Sequence, residues 1–234
     1  MRSPADFEVL DTLEARVAPP HTALLVVDMQ NDYCAPGGAS DRNGRDLTMI
    51  QGMVPTLREL VDAARAAGVL VVWAKYTLGP GSAGLAGPEL LRRGHNFKGA
   101  DATVKGTWGH EIIAALPYRP DEDLVIEKRR VSAFFGTDLD TCLRGQGIKT
   151  VAITGVMTQT CVESTVRDAM CYDYYVAVVA DCCASSGPTP HETSIRNMAT
   201  FLRYDEAITT SERLRAIWAA QPTAAPASAG AART

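Results

Sequence analysis

Three side chains with reactive groups each follow a segment that has the pattern of a buried strand: Asp28, Lys128 and Cys161. Taken one at a time, they have ordinary explanations as a turn residue, a solvated charge and a small buried hydrophobic residue. Together they indicate chemistry, because the carboxyl ends of parallel strands meet at one edge of a sheet. A helix N-terminus and a nearby ammonium group favour the thiolate, and a carboxylate can carry the thiol proton to a leaving amine. The combination predicts covalent acyl transfer with Cys161 as the nucleophile.

The elements that must position these residues alternate between strand-like and helix-like segments. Apolar runs predict strands at 22–27, 69–73, 123–126, 150–154 and 175–179, with a short one at 206–208. Helices are predicted, from apolar residues at helical spacing and from turn and capping residues, near 46–67, 138–146, 161–173, 189–203 and 211–219. The alternation predicts an α/β fold of the three-layer, doubly wound (Rossmann-like) type, with a parallel sheet covered by helices on both faces.

One domain, residues 21–219, accounts for this pattern. Residues 1–20 precede the first strand and are predicted to be an N-terminal arm, and the low-complexity residues 220–234 are predicted to be a disordered tail. The glycine-rich segment 77–107 is too long for an ordinary connection. Loops of that length in compact domains are usually functional, so a lid or a partner-contacting arm is expected.

The composition excludes several classes of partner. The 234 residues carry a net charge of −4 and no basic stripe, so nucleic acid is not expected to bind. Neither a secretory signal nor an apolar run long enough to span a membrane is visible. The six cysteines lack Cys-x-x-Cys spacing, which favours free thiols and a cytoplasmic location.

The remaining cysteines and histidines are expected to be structural. Cys171 lies ten residues beyond Cys161 in the predicted helix, and Cys182 and Cys183 follow a predicted strand end, where one of them could approach the site. His110 and His191 have no partner at metal-ligand spacing. Neither a metal nor a cofactor is expected.

Four stretches around these positions resemble the isochorismatase-like cysteine hydrolases, and the resemblance spans about 20 to 215. The matching stretches are 23–33, 127–139, 155–168 and the strand that ends at 180–181. The resemblance implies a six-stranded parallel sheet and an Asp–Lys–Cys catalytic triad, which would be Asp28, Lys128 and Cys161.

The resemblance also implies how the loop before the nucleophile works. It places a cis peptide bond between Val156 and Met157 and an oxyanion hole at the backbone amides of Met157 and Cys161. Gln159 and Met157 depart from the residues usual in the family and would alter the pocket. The candidates for the substrate pocket are Tyr33, Trp73, Phe134 and Gln159.

Departures from other branches of the family narrow the expected reaction. Nicotinamidases hold a metal through histidines after the second strand, and the stretch 73–80 has none. Isochorismatases cleave a vinyl ether without a thiol nucleophile, so a cysteine at position 161 favours C–N cleavage. The segment 105–112, the residues after Cys161 and the interval between Lys128 and Cys161 look most similar to ureidoacrylate amidohydrolases and to biuret- and carbamoyl-cleaving relatives.

We therefore expect a metal-independent cysteine amidohydrolase that acts on a small amide, ureido or carbamoyl compound. Assembly as a homodimer or homotetramer is expected from the resemblance. Two alternatives stay open: a vinyl-ether hydrolase in which Cys161 is incidental, and a catalytically idle binding subunit of the same fold.

Overall fold

The computed structural model describes residues 8–80, 83–92 and 102–221. Parts of the predicted 77–107 loop, and the predicted tail from residue 222 onward, lie outside the described residues. Among the described residues, no helix is long and apolar enough to cross a membrane.

The sheet has six parallel strands within the described residues, which confirms the predicted α/β architecture. The strands are β1 (Thr22–Val27), β2 (Leu70–Tyr76), β3 (Leu124–Lys128), β4 (Thr150–Val156), β5 (Tyr175–Ala184) and β6 (Ile208–Thr209). Their order is β3-β2-β1-β4-β5-β6, so the direction of winding reverses between β1 and β4. Ligand sites of doubly wound sheets lie beyond the carboxyl ends of the strands at such a reversal.

Helices cover both faces of this sheet. They are α1 (Leu13–Arg16), α2 (Asn31–Cys34), α3 (Ala39–Arg42), α4 (Thr48–Ala66), α5 (Gly87–Arg92), α6 (Leu139–Gly145), α7 (Glu163–Cys171), α8 (Pro188–Leu202) and α9 (Ser211–Ala220). Apolar residues of α4 and α9 share one hydrophobic core with the sheet, and those of α6, α7 and α8 share the other.

Strand β1 shows why a continuous apolar run is needed at the centre of this fold. Leu24 and Val26 point into the core that contains α4, whereas Leu25 and Val27 point into the core that contains α7. All four side chains are fully buried. Burying one such side chain contributes roughly 1.5–3 kcal/mol, so both faces of the strand stabilise the centre of the sheet.

Two predicted element boundaries were wrong. Strand β5 continues to Ala184, so Cys182 and Cys183 lie within the strand instead of after its end. The predicted helix 161–173 is divided into a π-helical turn, Thr158–Val162, and the shorter helix α7. Cys161 therefore lies inside a π-helical turn and not at the first residue of an α-helix.

The described part of the predicted N-terminal arm packs against the domain. Leu13 and Val17 are buried in the core that contains α4 and α9. The Trp218 indole Nε1 donates a hydrogen bond of 2.9 Å to the Val17 carbonyl. Residues 8–20 are thus continuous with the packed domain and do not extend away from it.

Candidate active site

Asp28 directly follows β1 at the point where the strand order reverses. Asp28 is 1% exposed. Its φ of +54° lies in the left-handed region, which Asp tolerates better than most residues. The Asp28 amide donates to the Ala74 carbonyl at 2.8 Å, which continues the pairing with β2 for one residue. The chain then turns, and the carboxylate is left at the carboxyl edge of the sheet.

Lys128 is the last residue of β3 and is completely buried. Strand β2 separates β3 from β1, and the long lysine side chain spans that distance. Its Nζ lies 2.7 Å from Asp28 Oδ2, and it donates to the Arg130 carbonyl at 3.1 Å. These contacts make a buried ion pair at the edge where the reactive side chains were predicted to meet.

Cys161 lies in the π-helical turn that follows β4. The residue is buried, and its thiol is within hydrogen-bonding reach of both Asp28 and Lys128. Thr165 Oγ1 donates to the Cys161 carbonyl at 2.6 Å and accepts from the Ala133 amide at 3.0 Å. The structure therefore brings together the three residues that the sequence singled out, from the ends of three different strands.

Burial and the neighbouring charges shift the pKa values of Asp28 and Lys128 in opposite directions. Burial raises the pKa of Asp28 above its usual value, and the positive charge of Lys128 opposes that shift. For Lys128, burial acts to lower the pKa, but the charges of Asp28 and Cys161 outweigh it and the pKa is raised. Lys128 is therefore an ammonium group at neutral pH, beside a carboxyl group that binds a proton more readily than an exposed Asp does.

The protonation state of the Cys161 thiol differs from the one predicted from the sequence. Burial, and after it the charge of Asp28, raises the pKa of Cys161 to about 12, and the charge of Lys128 only partly opposes this shift. The predicted thiolate at a helix N-terminus was wrong, because desolvation of the sulfur outweighs the nearby positive charge. The thiol is protonated at neutral pH, and a base must remove its proton as it reacts.

The backbone before Cys161 is unusual. The peptide bond between Val156 and Met157 is cis. Gly155 has a φ of +106°, and a Cβ at this position would lie 2.1 Å from the Val27 carbonyl oxygen. The Met157 carbonyl accepts hydrogen bonds from the amides of Thr160 and Val162, which closes the π-helical turn.

Gln30 was missed by the sequence analysis, although it is two residues from Asp28. It is fully buried, its Oε1 accepts from the Tyr76 amide at 2.8 Å, and its Nε2 donates to the Tyr76 carbonyl at 3.0 Å. The same Nε2 donates to the His110 carbonyl at 2.9 Å. Gln30 thus joins the ends of β1 and β2 to the turn at Trp108–His110.

Tyr76 and Glu89 were also missed. The Tyr76 ring centre lies 4.7 Å from Lys128 Nζ, and the Tyr76 hydroxyl lies 2.9 Å from Glu89 Oε1. Glu89 is a buried carboxylate on α5, within the glycine-rich segment. No spacing in that segment indicated a buried charge, whereas Tyr76 could have been noticed as the last residue of a strand.

The four predicted pocket residues do not share one environment. Trp73 is buried in the core on the α4 side, where its Nε1 donates to Asp123 at 2.9 Å. Phe134 is buried in the other core and stacks on Tyr172 with ring centres 5.3 Å apart. Both pack as core residues, and their role in the substrate pocket stays a prediction.

The other two pocket candidates stay predictions. Tyr33 is half-buried on α2 and packs against the core on the α4 side. Gln159 is exposed and accepts from the Ser185 hydroxyl at 2.8 Å. It lines a surface cavity of about 480 Å³ together with Glu163 and residues at the start of α8.

The histidines and the paired cysteines engage in structural contacts. His110 Nε2 lies 2.8 Å from Thr77 Oγ1, and burial lowers the pKa of His110 to about 4. His191 Nδ1 lies 2.9 Å from Thr158 Oγ1, and Cys183 donates to the Ile153 carbonyl. In the part of the chain that the structure describes, no group of three or more His, Cys, Asp or Glu side chains is arranged to hold a metal ion.

The fold and the site define a recognised class of enzyme. The isochorismatase domain matches residues 22–212, which is most of the chain. The chain belongs to the isochorismatase family, as its motifs suggested. Within that family it is an amidohydrolase, a hydrolase that acts on C–N bonds other than peptide bonds.

The relatives make the comparison more specific. The ureidoacrylate amidohydrolase RutB of Enterobacter sp. (strain 638) is 36% identical over 208 residues, covering 82% of this chain and 90% of that relative. A cysteine hydrolase from Pseudomonas syringae pv. phaseolicola 1448A is similar in structure, with a TM-score of 0.75, 26% identity and coverage of 91% of this chain and 98% of that one. N-carbamoylsarcosine amidase from Thermoplasma acidophilum has a TM-score of 0.64 and 26% identity, covering 82% of this chain and 97% of that one.

Proposed function

We propose that the chain is a metal-independent cysteine amidohydrolase that cleaves the C–N bond of a small ureido or carbamoyl compound. The observation that carries this proposal is the buried ion pair of Asp28 and Lys128, 2.7 Å apart, with the Cys161 thiol in reach of both. The names of the relatives, a ureidoacrylate amidohydrolase and a carbamoyl amidase, support the substrate class.

The first half of the proposed reaction forms an acyl-enzyme. As Cys161 Sγ attacks the substrate carbonyl carbon, Asp28 accepts the thiol proton, which is needed because the resting thiol is protonated. The backbone amides of Met157 and Cys161 hold the oxyanion. The C–N bond then breaks, and Asp28 gives its proton to the departing nitrogen, which leaves as ammonia or an amine.

The second half returns the enzyme to its starting state. Asp28 accepts a proton from water as the water oxygen attacks the acyl carbon, and the C–S bond breaks. Cys161 leaves as a thiolate and takes the proton back from Asp28. Lys128 stays an ammonium throughout and offsets the negative charge that moves between the carboxylate and the sulfur.

An ammonia-release screen tests this function. Small carboxamides, ureido acids, biuret-like compounds and carbamoyl acids are incubated with the protein, with Cys161→Ala as the blank. We expect turnover of at least one ureido or carbamoyl compound, and a loss of at least about 10³-fold in Cys161→Ala, because the covalent route disappears. Cys171→Ala, which removes an exposed thiol on α7, is the matched control and should keep full activity.

Mass spectrometry and chelation separate the parts of the proposal. A covalent adduct on the peptide that contains Cys161 is expected during turnover, and activity should persist after treatment with a chelator. Full ammonia release by Cys161→Ala would contradict the covalent mechanism, because the C–N bond would then break without the thiol. Absence of ammonia release across the whole screen would contradict the proposed function and favour the two alternatives, a vinyl-ether hydrolase or an idle binding subunit, since neither releases ammonia.

The assembly and location stay predictions beside this function. We propose a cytoplasmic homodimer or homotetramer. Light scattering of the purified protein would give the mass, and a mass of one chain, 25.0 kDa, at micromolar concentration would contradict the assembly.

A further inference from the structure

Lys128 has a contact that the proposed reaction does not use. Tyr76 lies directly opposite Lys128 in the pairing of β2 with β3, so the two side chains leave the same face of the sheet. The Lys128 Nζ lies 4.7 Å from the centre of the Tyr76 ring. An ammonium group at this distance is attracted to the negative face of an aromatic ring. The ring therefore stabilises the ammonium in addition to Asp28.

The Tyr76 ring is itself held at its far end. Its hydroxyl lies 2.9 Å from Glu89 Oε1 and 2.9 Å from the Arg129 carbonyl, so its one proton is shared between two acceptors. Tyr76 is 2% exposed and Glu89 is 8% exposed. Because these hydrogen bonds are sheltered from water, the position of the ring depends on them.

The segment that carries Glu89 is tied to the same end of β3. Arg130 Nη1 donates to the Gly84 carbonyl at 3.0 Å. A Cβ at Gly84 would lie 3.1 Å from Arg129 Cδ, which shows how closely the segment approaches the chain after Lys128. Glu89 thus reaches Tyr76 from a segment that contacts the chain after β3 at Gly84.

We propose that Tyr76 and Glu89 are positioning residues that hold the Lys128 ammonium in place beside Asp28 and Cys161. The inference rests on the role given to Lys128 in the proposed function. A lysine side chain has a flexible four-carbon stem, and a displacement of about 1 Å at a reacting centre is costly. Tyr76 and Glu89 act through Lys128, and neither is assigned a contact with the substrate.

Alkylation of Cys161 in the absence of substrate tests this inference directly. The rate of reaction with iodoacetamide is measured at about pH 8.5 and read for each cysteine by peptide mass spectrometry. The positive charge of Lys128 lowers the pKa of the thiol, so a displaced ammonium slows the reaction at Cys161. Cys171, exposed on α7, is the internal reference within the same chain.

The expected result is selective slowing at Cys161. Tyr76→Phe keeps the ring but removes the hydroxyl, and we expect the rate to fall about threefold, which corresponds to about half a pKa unit. Glu89→Ala should give a similar fall, and Glu89→Gln should recover most of the loss, because the amide keeps an acceptor oxygen. The double variant Tyr76→Phe with Glu89→Ala should be no slower than Tyr76→Phe alone, since that variant already removes the hydrogen bond between Tyr76 and Glu89.

Turnover should change in the same direction. In Tyr76→Phe and Glu89→Ala, kcat should fall by about the same factor with KM unchanged, because substrate binding is not touched. The matched controls are Tyr118→Phe and Glu122→Gln, which should leave both kcat and KM unchanged. The Tyr118 ring packs edge-on against Trp73, and Glu122 forms an exposed ion pair with Arg119.

Lys128→Met separates the two proposals. If Lys128→Met slows alkylation of Cys161 but Tyr76→Phe and Glu89→Ala do not, the positioning role is overturned and the proposed function stands. If Lys128→Met leaves the rate unchanged, the role of Lys128 in the proposed function fails. Equal slowing at Cys171 would mean a general disturbance of the fold and would also overturn the positioning role.

Discussion

Asp28 shows how burial prepares a residue for proton transfer. The carboxyl group binds a proton more readily than an exposed Asp because burial raises its pKa. The thiol beside it holds its proton because burial also raises the pKa of Cys161, to about 12. A stronger base beside a protonated thiol suits the proposed reaction, in which the proton is transferred during attack.

The pH dependence of activity follows from these shifts. Asp28 must be ionised to accept the thiol proton, so kcat/KM should rise with pH through an apparent pKa above the usual value of about 3.9 for Asp. The raised pKa of Lys128 keeps the ammonium intact through neutral pH. The apparent pKa belongs to the coupled cluster of Asp28, Lys128 and Cys161. The profile is measured between about pH 4 and pH 9 with a substrate from the screen.

Two variants complete that measurement. Asp28→Asn should lose about 10²–10⁴-fold in kcat/KM at every pH, because an amide cannot accept the proton. Asp140→Asn, which breaks an exposed pair with Arg144, should keep the acid limb of the parent protein. An acid limb at or below the pKa of an exposed Asp would contradict the assignment of Asp28.

The sequence could predict the members of the site but not their charge states. Asp28 and Lys128 could be predicted because Asp28 directly follows an apolar run and Lys128 lies two residues after another, and strand ends converge in a parallel sheet. The protonated thiol could not be predicted, because the degree of burial depends on packing from elements distant in sequence. Glu89 gave no signal, since a carboxylate in a glycine-rich segment usually faces solvent.

At the scale of elements, the connection between β4 and the π-helical turn that contains Cys161 requires a backbone that only glycine can supply. Gly155 pairs with Val27 of β1, and the pairing of β4 with β5 shifts register between Ile153 and Gly155. The close approach of the Val27 carbonyl leaves no space for a Cβ. This contact fixes how the chain leaves β4 towards Met157.

Gly155→Ala should therefore be strongly destabilising. We expect a loss of more than about 4 kcal/mol in the free energy of unfolding, measured by denaturant titration, because a clash adds to an unfavourable φ. Gly52→Ala, in the interior of α4 where a Cβ meets no atom within 4 Å, is the matched control. The free energy of unfolding of Gly52→Ala should rise by about 0.5–1 kcal/mol. Equal stability of the two variants would contradict the close-contact argument.

Strand β5 shows why one boundary could not be read from the sequence. The charged Asp181 suggested the end of the strand, yet the strand continues through Cys182 and Cys183. The Asp181 carboxylate accepts hydrogen bonds from the amide and the hydroxyl of Ser211, at 2.8 and 2.6 Å. A helix that is distant in sequence thus satisfies the charge, and no local pattern can indicate such a partner.

At the scale of the whole molecule, the two ends of the described chain close the core together. Arg16 is buried, donates to the Asp205 carbonyl and lies over the Tyr204 ring at 4.8 Å. Trp218 of α9 is buried and bonds to the Val17 carbonyl. The core that contains α4 therefore includes residues that precede the first strand.

Leu13→Ala tests this continuity. Leu13 is 1% exposed, so its truncation should lower the free energy of unfolding by about 2–5 kcal/mol, as the lost burial and the resulting cavity require. Val9→Ala is the control four residues earlier; Val9 is 65% exposed, and the change should stay within about 0.5 kcal/mol. Both are measured by denaturant titration, with activity recorded in parallel. If Leu13→Ala were as stable as Val9→Ala, the segment before β1 would not belong to the cooperative unit, and its buried contacts would contribute nothing to holding α9 and β1 together.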